Sequence, residues 1–330
     1  MLNWGIIGLG RMANVFANSI KELNDCKLIA ISSLDNNKIN NFGKKHNIDK
    51  NYYFNSYDQL IDCDKVDAIY IATLNNTHKE LIIKAVEKNK HILCEKPITI
   101  TNEEIKEVYN KVNNSNIIFL EGIAYRSHPI TKSIYDILTN ENLGKIEKII
   151  ANFGFDTKKV KPNSRLYDKN LGGGAILDVG CYPLSILNLI KKIKKIKSKI
   201  KFNNVKGNIC KTGVDDHSIA NIVFENGISA EIEVAIRKNL KNFVSIKTER
   251  GEIIIPQIWQ PEKKMYIDIK FNDHYYKRTV TCEYSLYAQQ INFFNSLIKK
   301  TNKIIDFPYL SLEDSREIAE LSLEWRKKLY

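Results

Sequence analysis

The sequence predicts an α/β plus α+β protein. Residues 1-122 form a parallel sheet wound with helices, and residues 123-330 a larger, mostly antiparallel open sheet flanked by helices. Three observations lead there. Residues 1-120 alternate short, near-continuous apolar runs with stretches of helical period, the pattern of buried parallel strands joined by crossover helices. From about Ile146 the runs lengthen and alternate in polarity, and Glu225-Asn226-Gly227 and Glu249-Arg250-Gly251 supply hairpin turns between them. A chain of 330 residues is long enough for two hydrophobic cores.

In the first domain Trp4–Ile7 is the opening strand. Val15, Phe16, Ser19 and Ile20 then mark a helix over Met12–Leu23 by their spacing. The unit repeats as strand Lys27–Ser32 with helix Asn37–His46, strand Asp67–Ala72 with helix Lys79–Lys88, and strand His91–Cys94 with helix Glu103–Val112. Ile117–Leu120 closes the series, and Ser127-His128-Pro129 marks the boundary region. Strands of the second domain are expected over Lys145–Phe155, Ile219–Phe224, Ile228–Ile236, Phe243–Lys247, Glu252–Ile255, Tyr266–Phe271 and Tyr275–Val280. Helices flank them at Tyr182–Lys192, Tyr287–Lys300 and Leu312–Leu329, the last a candidate to pack back on the first domain.

Composition narrows the class. Hydrophobic residues at 43% and charged residues at 27% are globular values. No apolar stretch approaches the roughly 18 residues that cross a bilayer, and Met1–Gly8 lacks the basic n-region of a signal peptide. The expectation is a cytoplasmic protein with no membrane partner. Six cysteines without CxxC and six histidines without HxH give no metal-ligand spacing, so no metal is expected. The net charge of +12 is mostly lysine and is not interleaved with aromatic stacking residues, which reads as a solvated surface and not as a nucleic-acid site. The run Lys191–Lys201 is read the same way, as a helix end whose lysines complement its dipole, leading into an edge strand.

Gly8-Leu9-Gly10-Arg11-Met12-Ala13 follows a strand and opens a helix. In this GxGxxA pattern the first glycine makes the turn and the second lets a pyrophosphate approach. The small third residue packs helix on strand, and the helix N-terminus faces the anion. A dinucleotide on a Rossmann domain is therefore expected. A carboxylate at the tip of the second strand would select NAD through the ribose 2′-OH. Here the tip reads Ile31-Ser32-Ser33-Leu34-Asp35, with Lys38 one helical turn on and Arg11 in the glycine loop. NADP is the expected cofactor, and Asp35 keeps NAD open.

Further motifs extend the pattern along the chain: Ile71-Ala72-Thr73-Leu74-Asn75-Asn76-Thr77-His78, Cys94-Glu95-Lys96-Pro97, Glu121-Gly122-Ile123-Ala124-Tyr125-Arg126-Ser127-His128-Pro129, and Gly172-Gly173-Gly174-Ala175-Ile176-Leu177-Asp178-Val179-Gly180-Cys181-Tyr182-Pro183. Together they resemble the Gfo/Idh/MocA oxidoreductase family over nearly the whole chain. Leu74 stands where proline is usual, Gly122 for alanine, Ser127 for phenylalanine, and Tyr182 where many members have histidine. The tyrosine form resembles the subgroup containing glucose–fructose oxidoreductase, dimeric dihydrodiol dehydrogenase and NADP-dependent xylose dehydrogenase.

The resemblance implies hydride transfer between a nicotinamide and a carbon of a sugar, sugar derivative or polyol. It also implies a homodimer or homotetramer built through the C-terminal sheet. Such chemistry needs a proton donor or acceptor at the substrate oxygen. A phenol with an ordinary pKa near ~10 serves at neutral pH only beside a cation, so Tyr182 is the expected acid/base and Lys96 its cation. Asp178 either orients Lys96 or a sugar hydroxyl, or caps a helix. The expected cofactor contacts are Gly8, Gly10, Arg11, Met12, Ser33, Leu34, Lys38, Thr73, Asn75, His78, Glu95, Lys96 and Arg126, with Arg126 a loop buttress in the alternative. The expected substrate contacts are Lys96, Tyr125, Asp178, Tyr182 and His217, although His217 sits in an Asp-rich segment that suits a turn. The triple glycine either lets backbone pass close to a ligand or is a plain loop. A non-catalytic dinucleotide-binding regulator of the same fold, or an NAD-dependent glycosidase, is the alternative.

Overall fold

The computed structural model describes residues 1–197, 200–272, 274–300 and 304–330. The chain divides into two compact units, Met1–Ala124 with Tyr284–Arg316, and Tyr125–Glu283 with Glu317–Tyr330.

The first unit alternates strand and helix: β1 (Leu2–Ile7), α1 (Arg11–Ser19), β2 (Cys26–Ser32), α2 (Asn36–His46), β3 (Tyr53–Phe54), α3 (Tyr57–Ile61), β4 (Ala68–Ile71), α4 (His78–Glu87), β5 (His91–Cys94), α5 (Asn102–Asn113) and β6 (Phe119–Glu121). All six strands pair in parallel, in the order β3-β2-β1-β4-β5-β6. Chain direction across the sheet reverses between β1 and β4, and in such sheets ligands bind beyond the strand C-termini at that reversal. The central strands are buried on both faces; every residue of β4 is buried, which is why they read as unbroken apolar runs. β3 with α3 was not expected, since a two-residue strand carries no periodicity.

Residues 284–316 join this unit, so the expected 123-330 domain gives up this segment. Trp4 is fully buried against Phe16 at 5.1 Å and against Phe294 of α9 (Leu286–Lys299) at 5.2 Å between ring centroids. Its indole N–H donates to Asn295 at 3.2 Å, and Lys299 pairs with Asp25 at 2.6 Å. Burying an aromatic of this size stabilises by roughly 2–3 kcal/mol. The final helix α10 (Leu312–Leu329) begins in the first unit and runs mostly in the second.

The second unit opens with α6 (Pro129–Asn140), a helix that sequence reading passed over as a boundary. Proline at its first turn has no N–H to lose, and His128 caps it by accepting the Ile130 N–H at 3.1 Å. Its strands are β7 (Ile146–Gly154), β8 (Lys201–Ile209), β9 (Asp215–Val223), β10 (Ser229–Ala235), β11 (Phe243–Thr248), β12 (Gly251–Pro256), β13 (Lys264–Phe271) and β14 (His274–Thr281). They form one sheet in the order β14-β13-β12-β11-β7-β10-β9-β8, antiparallel except where β10 runs parallel to β7. Both expected hairpins are present, β9 to β10 and β11 to β12.

Helix α7 (Ala175–Val179) and the almost wholly buried α8 (Cys181–Ile193) pack on this sheet. The lysine run does end a helix and lead into edge strand β8. Lys191 pairs with Glu317 and Lys194 donates to the Leu138 carbonyl at 2.7 Å. Ser198 and Lys199 of that run lie outside the described residues. Among the described residues no single helix is long and apolar enough to cross a membrane, and no three His, Cys, Asp or Glu side chains could hold a metal ion.

Candidate active site

The sequence-predicted residues fall into two groups, one in each unit. In the first unit they collect beyond the strand C-termini on either side of the β1/β4 reversal. Gly8 has φ +89°, and a Cβ there would stand 2.7 Å from the Ala72 carbonyl oxygen and 2.9 Å from Thr73 Cγ2. Only glycine makes that turn, and the turn presses the glycine loop against the loop after β4. Gly10 differs. Its φ of −90° suits any residue, and a Cβ on it would meet nothing within 4 Å. The chain itself does not require glycine there.

Gly10 is also the N-cap of α1, where no side chain caps the helix and no acid sits in the first turn. The exposed Arg11 begins that turn and Met12, half-buried, follows. Uncapped N–H groups, a positive helix end and a cleared approach suit a pyrophosphate, so the residues present fit a dinucleotide.

At the tip of β2, Ser33 Oγ accepts the Asp35 N–H at 3.2 Å, and the Asp35 carboxylate accepts the Asn37 and Lys38 N–H groups at 2.9 and 3.2 Å. Asp35 is the N-cap of α2. Leu34 and Lys38 are exposed beside it.

After β4, Thr77 Oγ1 donates either to Thr73 Oγ1 at 2.7 Å or to the Leu74 carbonyl at 2.8 Å, and the buried Asn75 opens a single 3-10 turn. His78, first residue of α4, is fully buried; its Nδ1 lies 2.9 Å from the Pro97 carbonyl. A carbonyl only accepts, so Nδ1 carries the hydrogen. Burial holds this imidazole down to about 4, which leaves it neutral at physiological pH. Beyond β5, Glu95 Oε1 accepts the Tyr70 hydroxyl at 2.5 Å, and Lys96 follows, joined to Pro97 by a cis peptide.

In the second unit Tyr182 lies in the first turn of α8, half-buried among aromatics. Phe153 meets its ring edge-to-face at 4.8 Å, with Trp259 at 5.9 Å and Tyr125 at 6.4 Å. Trp259 is itself fixed by its N–H to the Asn152 carbonyl at 2.7 Å. Ser185 Oγ donates to the Tyr182 carbonyl at 2.7 Å, so at the 2.6 Å contact of Tyr125 with Ser185 the phenol is the donor. Tyr125 is fully buried, and burial pushes its hydroxyl up to about 12. Arg126, also fully buried, donates through Nη1 to the Ser185 carbonyl at 3.0 Å. That contact ties Arg126 to α8.

Asp178, on α7, is buried and paired with Arg165 at 2.7 Å. The N-terminus of α7 is served by a different acid: Asp215 accepts the Ile176 N–H at 2.7 Å. A Cβ on Gly174, at φ +117°, would stand 2.3 Å from Asp215 Oδ1, so this glycine makes room for the chain's own carboxylate. The Asp-rich segment is not a turn but the start of β9, where His217 Nε2 meets Glu233 Oε1 at 2.7 Å and Lys238 meets the same oxygen at 2.9 Å.

Sequence reasoning missed Arg165, Phe153, Trp259 and Tyr70. Phe153 had a signal, since strand alternation puts it on one face with Ile149 and Ala151. The others arrive from loops or distant strands and had none.

Residues 2–122 match the oxidoreductase family with an NAD-binding Rossmann fold (Gfo/Idh/MocA), and residues 131–254 match the Gfo/Idh/MocA C-terminal domain. The trans-1,2-dihydrobenzene-1,2-diol dehydrogenase of Xenopus tropicalis is 30% identical over 261 residues, 78% of this chain and 76% of that one. The Mus musculus enzyme of the same name is 28% identical over 340 residues, 99% and 97% of the two chains. Among solved structures, a 3-ketoreductase from Actinomadura kijaniata in complex with NADP and TDP-benzene superposes with a TM-score of 0.87 at 20% identity, covering 99% of this chain and 98% of that one. An aldose-aldose oxidoreductase from Caulobacter crescentus complexed with glycerol gives 0.87 at 18% identity, covering 99% and 97%. These two likenesses are of fold.

Proposed function

The chain belongs to the Gfo/Idh/MocA oxidoreductase family, and from that premise we propose that this NAD(P)-dependent enzyme oxidises or reduces a CH–OH carbon of a sugar, sugar derivative or polyol. A nicotinamide dinucleotide, when bound, supplies or accepts the hydride. Gly8, Gly10, Arg11 and Met12 would hold its pyrophosphate, and Ser33, Leu34 and Lys38 the adenosine ribose. Thr73, Asn75, Glu95 and Lys96 would shape the nicotinamide end.

The observation that carries the reading is Gly10, a glycine kept small for nothing in the chain, at an uncapped helix N-terminus. NADP is supported over NAD by Asp35. Its carboxylate already accepts two N–H groups at the start of α2, and the adjacent Ser33 and Lys38 carry donors suited to a 2′-phosphate.

Tyr182 exchanges the proton at the substrate oxygen. Its aromatic neighbours Phe153 and Trp259 lower the local dielectric, which strengthens the pull of a cation on a phenolate. Lys96 is the cation assigned to that role and to the polarisation of the substrate carbonyl. Tyr125 is unsuited to it, since its hydroxyl is committed to Ser185 and pushed up to about 12. Asp178, neutralised by Arg165, acts on the shape of the α7–α8 corner more than on a proton. The substrate class is supported by the relatives, named as diol dehydrogenases, and by the folds of a ketoreductase and an aldose oxidoreductase. A second copy of the chain, docked through the eight-stranded sheet, is the proposed oligomer partner.

The test is turnover by a Tyr182→Phe enzyme. Loss of the acid/base is expected to lower kcat by about 10²–10⁴-fold with NADPH binding, followed by fluorescence titration, unchanged. Turnover at the wild-type rate would remove Tyr182 from the proton role, and failure of the wild type to bind either NADPH or NADH would end the dinucleotide reading.

A further inference from the structure

We propose that Tyr70, His78 and Glu121 are positioning residues for Lys96, pinning the chain on both sides of it. The inference rests on the role given to Lys96 above and extends it to three buried groups of the first unit; His78, expected from the sequence as a cofactor contact, is given a positioning role instead.

The segment Glu95–Ile98 leaves the end of β5 and is caught at successive points. Glu95 donates its N–H to the Ile71 carbonyl at 2.9 Å and accepts the Tyr70 hydroxyl at 2.5 Å. The Pro97 carbonyl accepts His78 Nδ1–H at 2.9 Å, and the Ile98 N–H donates to Glu121 Oε1 at 3.0 Å. The three anchors come from three elements, β4, α4 and β6, and each is at least 98% buried.

Lys96 is thus bracketed by fixed atoms before it and after it, and its charge is felt by two of the anchors. It opposes protonation of His78 and favours ionisation of Glu121. A hydrophobic core would be cheaper with leucine at these sites, since each buried polar group gives up its water for only one or two partners. What polar anchors provide, and leucine does not, is a fixed backbone direction at the residue that must be aimed. A displacement of about 1 Å at a reacting group can cost ~10²-fold in rate.

The experiment compares His78→Leu and Glu121→Met, which remove the anchor, with His78→Asn and Glu121→Gln, which return a donor near Nδ1 and an acceptor near Oε1. Tyr70→Phe loses one hydroxyl inside an intact ring and serves where a larger change fails to fold. Two readouts are taken on the full chain. Competitive labelling by acetic anhydride with mass spectrometry reports the reactivity of the Lys96 amine without any substrate. Steady-state kcat is measured with NADP and with D-xylose or trans-1,2-dihydrobenzene-1,2-diol as probe.

Removing an anchor is expected to raise Lys96 labelling several-fold and to lower kcat by up to ~10²-fold, with the NADPH dissociation constant little changed. The Asn and Gln forms recover most of both effects. In a Lys96→Ala background His78→Leu costs nothing more, because its effect passes through Lys96. If Lys96→Ala itself leaves kcat intact, or neither probe is turned over, the proposed function fails while the labelling still tests the anchors. Wild-type labelling in His78→Leu, Glu121→Met and Tyr70→Phe, or a full further loss of kcat in the Lys96→Ala background, overturns the positioning role.

Discussion

Alanine at Gly8 and alanine at Gly10 should fail in opposite ways, although the two glycines sit two residues apart in one motif. At Gly8 the backbone has φ +89°, and the new methyl would lie 2.7 Å from the Ala72 oxygen and 2.8 Å from its carbonyl carbon. A left-handed conformation costs an L-residue roughly 1–2 kcal/mol. Overpacking against backbone, which has no rotamer with which to yield, adds about 1–3 kcal/mol. Taking about 3 kcal/mol in all, at ~2–4 °C per kcal/mol, the first unit should melt about 6–12 °C lower. At Gly10 neither cost arises, because φ is −90° and nothing lies within 4 Å of the methyl. The expected stability change is within about 0.5 kcal/mol. The methyl instead occupies the approach of the pyrophosphate, and NADPH should bind at least ~10-fold more weakly, about 1.4 kcal/mol. Differential scanning calorimetry and fluorescence titration of the two variants read these outcomes separately. A Gly10→Ala protein that binds NADPH like the wild type would refute the assignment of that space to a ligand, and a Gly8→Ala protein of unchanged Tm would refute the strained turn.

Asp35→Ala should cost about 1 kcal/mol through loss of the α2 cap and leave the ratio of NADPH to NADH affinity unchanged; a swing of that ratio toward NADPH would show that the carboxylate reads the ribose. Glu121 gives a pH signature. Burial pushes its carboxyl up to about 7 from an ordinary 4.5, against the pull of Ser315, Ile98 and Lys96, with Glu95 adding to the rise. Its folded form therefore holds a proton that the unfolded chain releases, and its contribution to stability declines as pH rises from 4.5 to 7. Glu121→Gln should gain on the wild type by about 3 kcal/mol between pH 4.5 and pH 8 in urea denaturation; a pH-independent difference would refute the raised pKa.

The legible parts of the fold are those whose signal is local. Buried parallel strands such as His91–Cys94 are apolar without interruption, and that strand is found at its expected bounds. The helix α6 is not legible because Ser127-His128-Pro129 reads as a boundary, whereas proline in the first turn and a histidine accepting from Ile130 make the same letters a helix start. The return of α9 to the first unit is not local at all: Trp4 and Phe294 are buried together across almost the whole chain, and nothing in either neighbourhood names the other.

The candidate site divides along the same line. Glycine turns, Glu95-Lys96-Pro97 and the strand tip at Ser33 are contiguous in sequence because a βα turn delivers its functional atoms within a few residues. The environment that sets their chemistry is assembled otherwise. Tyr182 takes its dielectric from Phe153 on β7 and Trp259 after β12, and Asp178 takes its countercharge from Arg165 in a loop. Sequence therefore names the proposed reacting groups but not the groups packed and paired around them. Asp178 shows the consequence: on sequence it is open to a lysine, a sugar hydroxyl or a helix cap, and its 2.7 Å pair with Arg165 has no local signal. Asp35 is a second case. Beside a strand tip it keeps a ribose contact open, while two N–H groups of α2 hold its carboxylate, and the proposal gives the selection of a 2′-phosphate to its neighbours Ser33 and Lys38.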